Sequence, residues 1–164
     1  MDFSKLSRSD AIGVLGGLLL IIAVLFLPWY DLGPTEQRTA ADGSGFICGD
    51  GNFDCTGFAT FPILRWLLIL AGLAPLILSW IVIRGHKLSW PPGELTMVTG
   101  FTAFMLIVYN GIIDKPGKEL AEIDISMAIG YWIALLATVV IAGSGVARVT
   151  QSQKGNLRKT PGTV

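Results

Sequence analysis

The sequence predicts an all-α integral membrane protein, a four-helix bundle made of two hairpins. Hydrophobic residues make up 52% of the chain and charged residues 15%, whereas a soluble domain carries about 25% charged residues. The mean hydropathy is +0.62. Four long runs also lack Asp, Glu, Lys and Arg. This composition excludes a soluble enzyme, a disordered chain and a basic nucleic-acid binder, so we expect the lipid bilayer and no nucleic acid as a partner.

The four uncharged runs cover residues 11–30, 66–83, 95–113 and 125–147. A helix rises about 1.5 Å per residue, so roughly 20 apolar residues cross a hydrocarbon core of about 30 Å. Inside a bilayer the backbone amides must bond to each other, in helices or in a closed barrel. Because the runs are continuous and do not alternate with polar residues, we expect four helices.

The first run admits two interpretations. Lys5 and Arg8 precede it and small residues follow at 39–41, which is also the pattern of a cleaved signal sequence. The apolar stretch is longer than the core of most signal sequences, however, and Pro28-Trp29-Tyr30 is typical of an anchor at the membrane interface. We therefore favour an uncleaved helix.

The first loop, residues 31–65, contains both cysteines of the chain, Cys48 and Cys55. Outside the cytoplasm thiols oxidise, and glycines between the two cysteines permit a tight turn, so we expect a structural disulfide between them. The alternative is a quinone-linked thiol oxidoreductase, because four-span thiol oxidases also carry cysteines in an outer loop. Such enzymes need a C-x-x-C pair and a second partner pair, and the sequence has neither.

We expect no metal site and no cofactor. Asp50, Asn52 and Asp54 resemble the first ligands of a calcium loop, but its sixth and twelfth positions hold Cys55 and Phe61 instead of Gly and Glu. A turn closed by its own Asp and Asn side chains is favoured. The single histidine, at position 86, has no cluster of metal-binding residues near it in the sequence.

Prolines shape the second and third runs. Pro75 predicts a kink in the second helix near Ala71. Pro91 and Pro92 cannot continue a helix from within, so we expect the third helix to begin at about Glu94, whose charge suits a helix N-terminus.

The fourth run carries a stripe of small residues spaced by four, and the first run carries a G-x-x-x-G pair. Small residues let membrane helices approach closely, so these positions predict helix contacts. The contacts are either within one bundle or between two copies of the chain. The positions are Gly13, Gly17, Ser126, Gly130, Ala134, Thr138 and Ala142.

The charges predict the orientation. If the N-terminus is cytoplasmic, eight of the 12 Lys and Arg residues lie inside, and nine of the 12 Asp and Glu residues lie outside. Cytoplasmic flanks hold an excess of basic residues, so we expect both termini in the cytoplasm of a multi-pass plasma-membrane protein. The predicted membrane domain is 1–147, with outer loops at 31–65 and 114–124. The polar, basic remainder, 148–164, is predicted to be a disordered cytoplasmic tail.

Three short segments resemble small four-span membrane proteins that recur in actinobacterial genomes. They are residues 26–30, residues 109–117 and Gly130-Tyr131-Trp132. The resemblance implies four helices and a bacterial plasma membrane, and it brings no activity or catalytic residues with it. Junction proteins of the claudin kind share the four spans and a disulfide-bearing first loop. This chain lacks their Gly-Leu-Trp element before the cysteines, so that likeness concerns architecture alone.

The predicted function is that of a non-catalytic accessory or interaction subunit. Transporters and proton relays place charged residues inside their spans, and the four runs hold none. Asn110 is the one strongly polar side chain there. The alternative is a subunit of a transporter or channel for an apolar or lipidic molecule, formed as a homo-oligomer around Asn110. The partner is either another membrane protein or a second copy of the chain.

Overall fold

A computed structural model describes residues 7–32, 55–85, 90–113 and 125–157. The described chain is mostly helical, and four of its helices are long and apolar enough to cross a membrane. In chain order, the elements are helix α1 (Arg8–Phe26), strands β1 (Pro28–Leu32) and β2 (Cys55–Thr56), the single-turn α2 (Gly57–Thr60), α3 (Leu64–Ile83), α4 (Pro92–Val108), a π-helical turn (Tyr109–Ile113), β3 (Ile125–Met127) and α5 (Ile129–Leu157).

The four long helices run up and down, with α1 and α5 at the centre. These two helices pack closely on each other. Helix α3 packs mainly on α1, and α4 packs mainly on α5. The contact between α3 and α4 is much smaller. The large apolar side chains that point away from these contacts are exposed. The two ends of the bundle differ. The sheet end is where the strands lie, and the ion-pair end is where α1 begins and Asp10 of α1 contacts Arg148 of α5.

The three strands form one antiparallel sheet in the order β2-β1-β3. Tyr30 pairs with Cys55 on one side and with Met127 on the other. Glycines allow this sheet to sit against the helices: a Cβ added at Gly130 would lie 2.5 Å from the carbonyl oxygen of Pro28. The strands are short and pair distant parts of the chain, so the apolar runs of the sequence predict helices alone.

The predicted helix boundaries need four corrections. Helix α1 ends at Phe26, because the chain turns into β1 at Pro28. Helix α4 begins at Pro92, earlier than the predicted Glu94, because a proline is well tolerated at the first helical position, where its missing N–H is not needed. Residues 125–127 are strand, so the fourth helix begins later than predicted.

The fourth correction concerns the C-terminal region. Helix α5 continues through Leu157, past the predicted end at 147, so residues 148–157 are helical where a disordered tail was predicted. Arg148, which lies within the continued helix, forms an ion pair with Asp10 of α1. The rest of the predicted tail, 158–164, lies outside the described residues.

Candidate functional site

Four aromatic side chains, which we call the aromatic cap, fill the space between the sheet and the bundle. They are Trp29, Tyr30, Phe61 and Tyr131. Trp29 packs edge-to-face on Phe61 and on Tyr131, with ring centroids 6.0 and 5.9 Å apart, and Tyr30 lies 6.2 Å from Phe61. Such pairs stabilise a contact by about 0.5–1.5 kcal/mol each beyond the area that they bury.

Trp29 joins the sheet to two helices. Its indole Nε1 donates a hydrogen bond of 2.9 Å to the carbonyl of Ala23 in α1. Its own carbonyl accepts one of 2.9 Å from the backbone N–H of Ala128, just before α5. Gly57 lies against the indole ring and leaves no room for a Cβ. Pro28-Trp29-Tyr30 was predicted to anchor the chain at the membrane interface; that interpretation is wrong for Trp29 and Tyr30, which are 0% and 1% exposed.

Tyr30 adds a polar group to this apolar surrounding. No described residue offers a hydrogen-bond partner to its buried hydroxyl. Burial raises the pKa of the Tyr30 phenol above its ordinary value, and the nearby Tyr131 phenol adds to the rise. The phenol therefore stays neutral, which suits its place under the sheet.

Tyr131 also packs against the π-helical turn at the end of α4. Its ring lies against Gly111, where a side chain would overlap it, and its hydroxyl donates to the carbonyl of Ile107 at 3.5 Å. The Asn110 amide donates to the carbonyl of Leu106 in its own helix, at 2.9 Å. Single π-helical turns are frequently found at functional sites, and this one lies beside the aromatic cap.

The structure gives partial answers for the predicted disulfide and for Arg65. Cys55 lies in β2 and is 0% exposed, but Cys48 is outside the described residues, so the pairing stays a prediction. The sequence allows Arg65, near the end of the second run, to pair with Asp114 or Asp124, and both of these residues lie outside the described residues. The Arg65 guanidinium donates to the Phe58 carbonyl and stacks 4.5 Å from the centre of the Phe58 ring.

The predicted small-residue positions lie mostly inside the fold. A Cβ added at Gly13 would lie 2.6 Å from Ser144 Oγ, and one at Gly17 would lie 2.8 Å from Pro75 Cγ. Ala134 and Thr138 are 0% exposed. Ala142 contacts α4 where Gly100 lets the backbones meet. Ser126 differs, because it is an exposed strand residue whose hydroxyl donates to the Asp31 carbonyl at 3.4 Å.

The ion-pair end holds a second polar feature, which sequence reasoning missed. Arg148 Nη1 of α5 contacts Asp10 Oδ1 of α1 at 2.5 Å, and the two side chains are 19% and 3% exposed. Asp10 Oδ2 accepts bonds from the backbone N–H and the hydroxyl of Ser7, which caps α1. In the sequence, Asp10 and Arg148 flank the first and the fourth apolar runs, and there they contribute only to the count of charges on each side of the membrane. The Ser-x-x-Asp capping pattern was the visible sign that Asp10 belongs to the helix.

The polar cluster at this end consists of the ion pair and four hydroxyl residues, Ser9, Ser79, Thr96 and Ser144. All four hydroxyl residues are less than a tenth exposed. Together with Asp10 and Arg148 they come from all four long helices. Among the described residues, no group of three or more His, Cys, Asp and Glu side chains is placed to hold a metal ion.

The geometry defines a four-helix protein whose helices are long and apolar enough to cross a membrane, closed at one end by a sheet over aromatic residues. Comparison of the chain with protein-family models, with curated proteins and with solved structures gave no match.

Proposed function

We propose that the protein is an integral membrane protein of the plasma membrane that acts as a non-catalytic interaction subunit. Both termini lie in the cytoplasm, and the sheet end faces outward. The exposed apolar faces of the four helices support insertion, since side chains such as Leu15, Phe26 and Leu70 are more than half exposed. The basic excess in the segments at the ion-pair end supports the orientation.

The observation that carries the interaction role is the anchoring of both outer segments on one sheet. Segment 33–54 leaves from β1 and returns through β2, and segment 114–124 returns through β3. The two segments join the described chain at four positions, and three of these positions lie in the three neighbouring strands. The aromatic cap packs beneath these strands. Such a rigid base reduces the conformational entropy that a partner must freeze when it binds the segments.

The orientation is tested by adding one cysteine at a time and treating intact cells with a membrane-impermeant maleimide. Asp31→Cys is at the sheet end and Lys154→Cys at the ion-pair end, and both native side chains are exposed. We expect labelling of Asp31→Cys on intact cells and labelling of Lys154→Cys only after the membrane is permeabilised. The unmodified protein gives the background. The reverse pattern would contradict the orientation, and labelling of both in intact cells would contradict insertion.

The interaction role is tested by photo-crosslinking in the native membrane. A photoreactive phenylalanine replaces Ile63 at the sheet end or Trp90 at the other end; these large apolar side chains are 76% and 62% exposed. We expect crosslinks to a different membrane protein from position 63 and not from position 90. Crosslinks between copies of this chain alone, with a lipid retained in native mass spectrometry, would favour the transporter or channel subunit instead.

A further inference from the structure

The polar cluster surrounds a small cavity between the four long helices, near the ion-pair end. The space open to the centre of a water molecule is about 10 Å³. One water molecule needs at least about 10–15 Å³ by this measure, so the cavity has the size of a single water. Polar lining is the second condition for a bound water, because apolar cavities of this size stay dry.

The lining offers both kinds of hydrogen-bonding group. Thr96 and Ser144 donate their hydroxyl protons to the carbonyls of Pro92 and Ile141, at 2.9 and 2.7 Å, which leaves lone pairs on both oxygens free to accept. Arg148 bonds Asp10 through one nitrogen and keeps further N–H groups. A water molecule can accept from the guanidinium and donate to the hydroxyl oxygens.

Ser79 of α3 also favours a water molecule in the cavity. Its side chain lines the cavity and the residue is only 6% exposed. None of the hydrogen bonds formed by the described residues involves its hydroxyl, so this group has a proton to donate and lone pairs to accept with. A water molecule in the cavity would supply the missing partner.

We propose that one water molecule binds in this cavity and bridges Ser79 to Thr96, Ser144 and Arg148. The pair of opposite charges makes the site neutral overall, which disfavours a metal cation beside Arg148 and an anion beside Asp10. The water links α3 to α4 and α5, and the direct contact between α3 and α4 is small overall. It is therefore part of what holds the two halves of the bundle together.

The first test compares two identical substitutions. Thr96→Val and Thr138→Val both remove a buried hydroxyl that donates to a backbone carbonyl, and only Thr96 lines the cavity. In the full-length protein in detergent, we expect Thr96→Val to raise the unfolding equilibrium constant about tenfold more than Thr138→Val, since it also removes a bond to the water. Equal effects of the two substitutions would overturn the proposal.

The second test detects the water directly. Radiolysis with short X-ray pulses turns bound water into hydroxyl radicals, which oxidise adjacent side chains; Pro75 lines the cavity although it is buried. We expect Pro75 oxidation to fall several-fold in Ser79→Val, whose methyl groups fill the space, and to stay unchanged in Thr138→Val. If Ser79→Val does not fold, Ser79→Ala is used, with a smaller decrease expected. Unchanged oxidation in the cavity variant would show that no water binds.

A third measurement distinguishes water from a cation. The stability of the unmodified protein is compared in sodium chloride and in choline chloride at equal ionic strength. We expect no difference, because water is the ligand. Stabilisation by sodium that disappears in the Ser79 variant would assign the cavity to a cation and overturn the proposal.

Discussion

Trp29 makes several stabilising contacts at the sheet end. It holds α1 through the Ala23 carbonyl, holds the start of α5 through its own carbonyl, and packs on two other rings of the aromatic cap. The chain has four other tryptophans. Those at positions 66, 80 and 132 lie in helices with about half of their surface exposed, and Trp90 is exposed just before α4. The same residue type thus serves packing at one position and outward exposure at the others.

A matched pair of substitutions measures how much more the buried Trp29 contributes to stability than the exposed Trp132. Trp29→Phe removes the hydrogen bond to Ala23 and part of the buried ring, so we expect the free energy of unfolding to fall by about 2 kcal/mol. Trp132→Phe changes a side chain that is 57% exposed, and we expect less than about 0.5 kcal/mol. Chemical denaturation in detergent measures both. Equal losses would mean that the aromatic cap does not carry the stability of the sheet end.

The Asp10–Arg148 pair gives a second prediction for single residues. Asp10→Asn leaves the Arg148 charge without its partner, and we expect the free energy of unfolding to fall by about 3–5 kcal/mol. Glu94→Gln is the control, because Glu94 is an exposed acid in the first turn of another helix. In the double variant Asp10→Asn with Arg148→Met, the loss should be smaller than the sum of the single losses. Strict additivity would show that the two residues do not interact.

Among the elements, the helices follow from local sequence and the strands do not. Each long helix is encoded by a continuous apolar run, so hydropathy places all four. The strands have two to five residues and no alternating pattern, and β1 pairs with β3 across most of the chain, Asp31 with Ser126. Hydropathy windows do not detect such pairs. The sequence did not predict the ion pair for a related reason. Which two of the flanking charges meet depends on how α1 packs against α5.

Helix α5 contains two glycines in opposite surroundings, which tests the close approach of helix and sheet. A Cβ at Gly130 would lie 2.5 Å from the Pro28 carbonyl oxygen, whereas one at Gly143 would have no atom of the described residues within 4 Å, apart from its own stretch of helix. We expect Gly130→Ala to lower the melting temperature clearly. Gly143→Ala should leave it unchanged or raise it, because alanine favours a helix over glycine by up to about 1 kcal/mol. A similar decrease in both variants would contradict this contact.

For the whole molecule, the arrangement of contacts predicts how the chain can be divided. The halves α1–α3 and α4–α5 meet chiefly through α1 and α5, and the direct contact between α3 and α4 is small. We expect fragments 1–88 and 89–164, when expressed together, to assemble into a stable complex, because the cut lies outside the main contact. Co-purification of one tagged fragment with the other is the measurement.

A cut elsewhere provides the control for this experiment. Fragments 1–27 and 28–164 separate α1 from the strand that follows it, at the point where Trp29 bonds back to Ala23. We expect this pair to assemble less well, although α1 is a complete helix. Equal recovery of both complexes would mean that the continuity of α1 and β1 adds nothing to assembly.

The pairing of β1 with β3 also determines when the molecule can be completed during its synthesis. Helix α1 and β1 leave the ribosome early, but the partner strand at Ile125–Met127 is made about a hundred residues later. Until then the indole of Trp29 lacks the Tyr131 ring and the backbone N–H of Ala128. A segment made later thus completes the sheet that β1 begins, and a nascent chain that stops before β3 leaves Trp29 uncovered for the quality-control machinery of the cell.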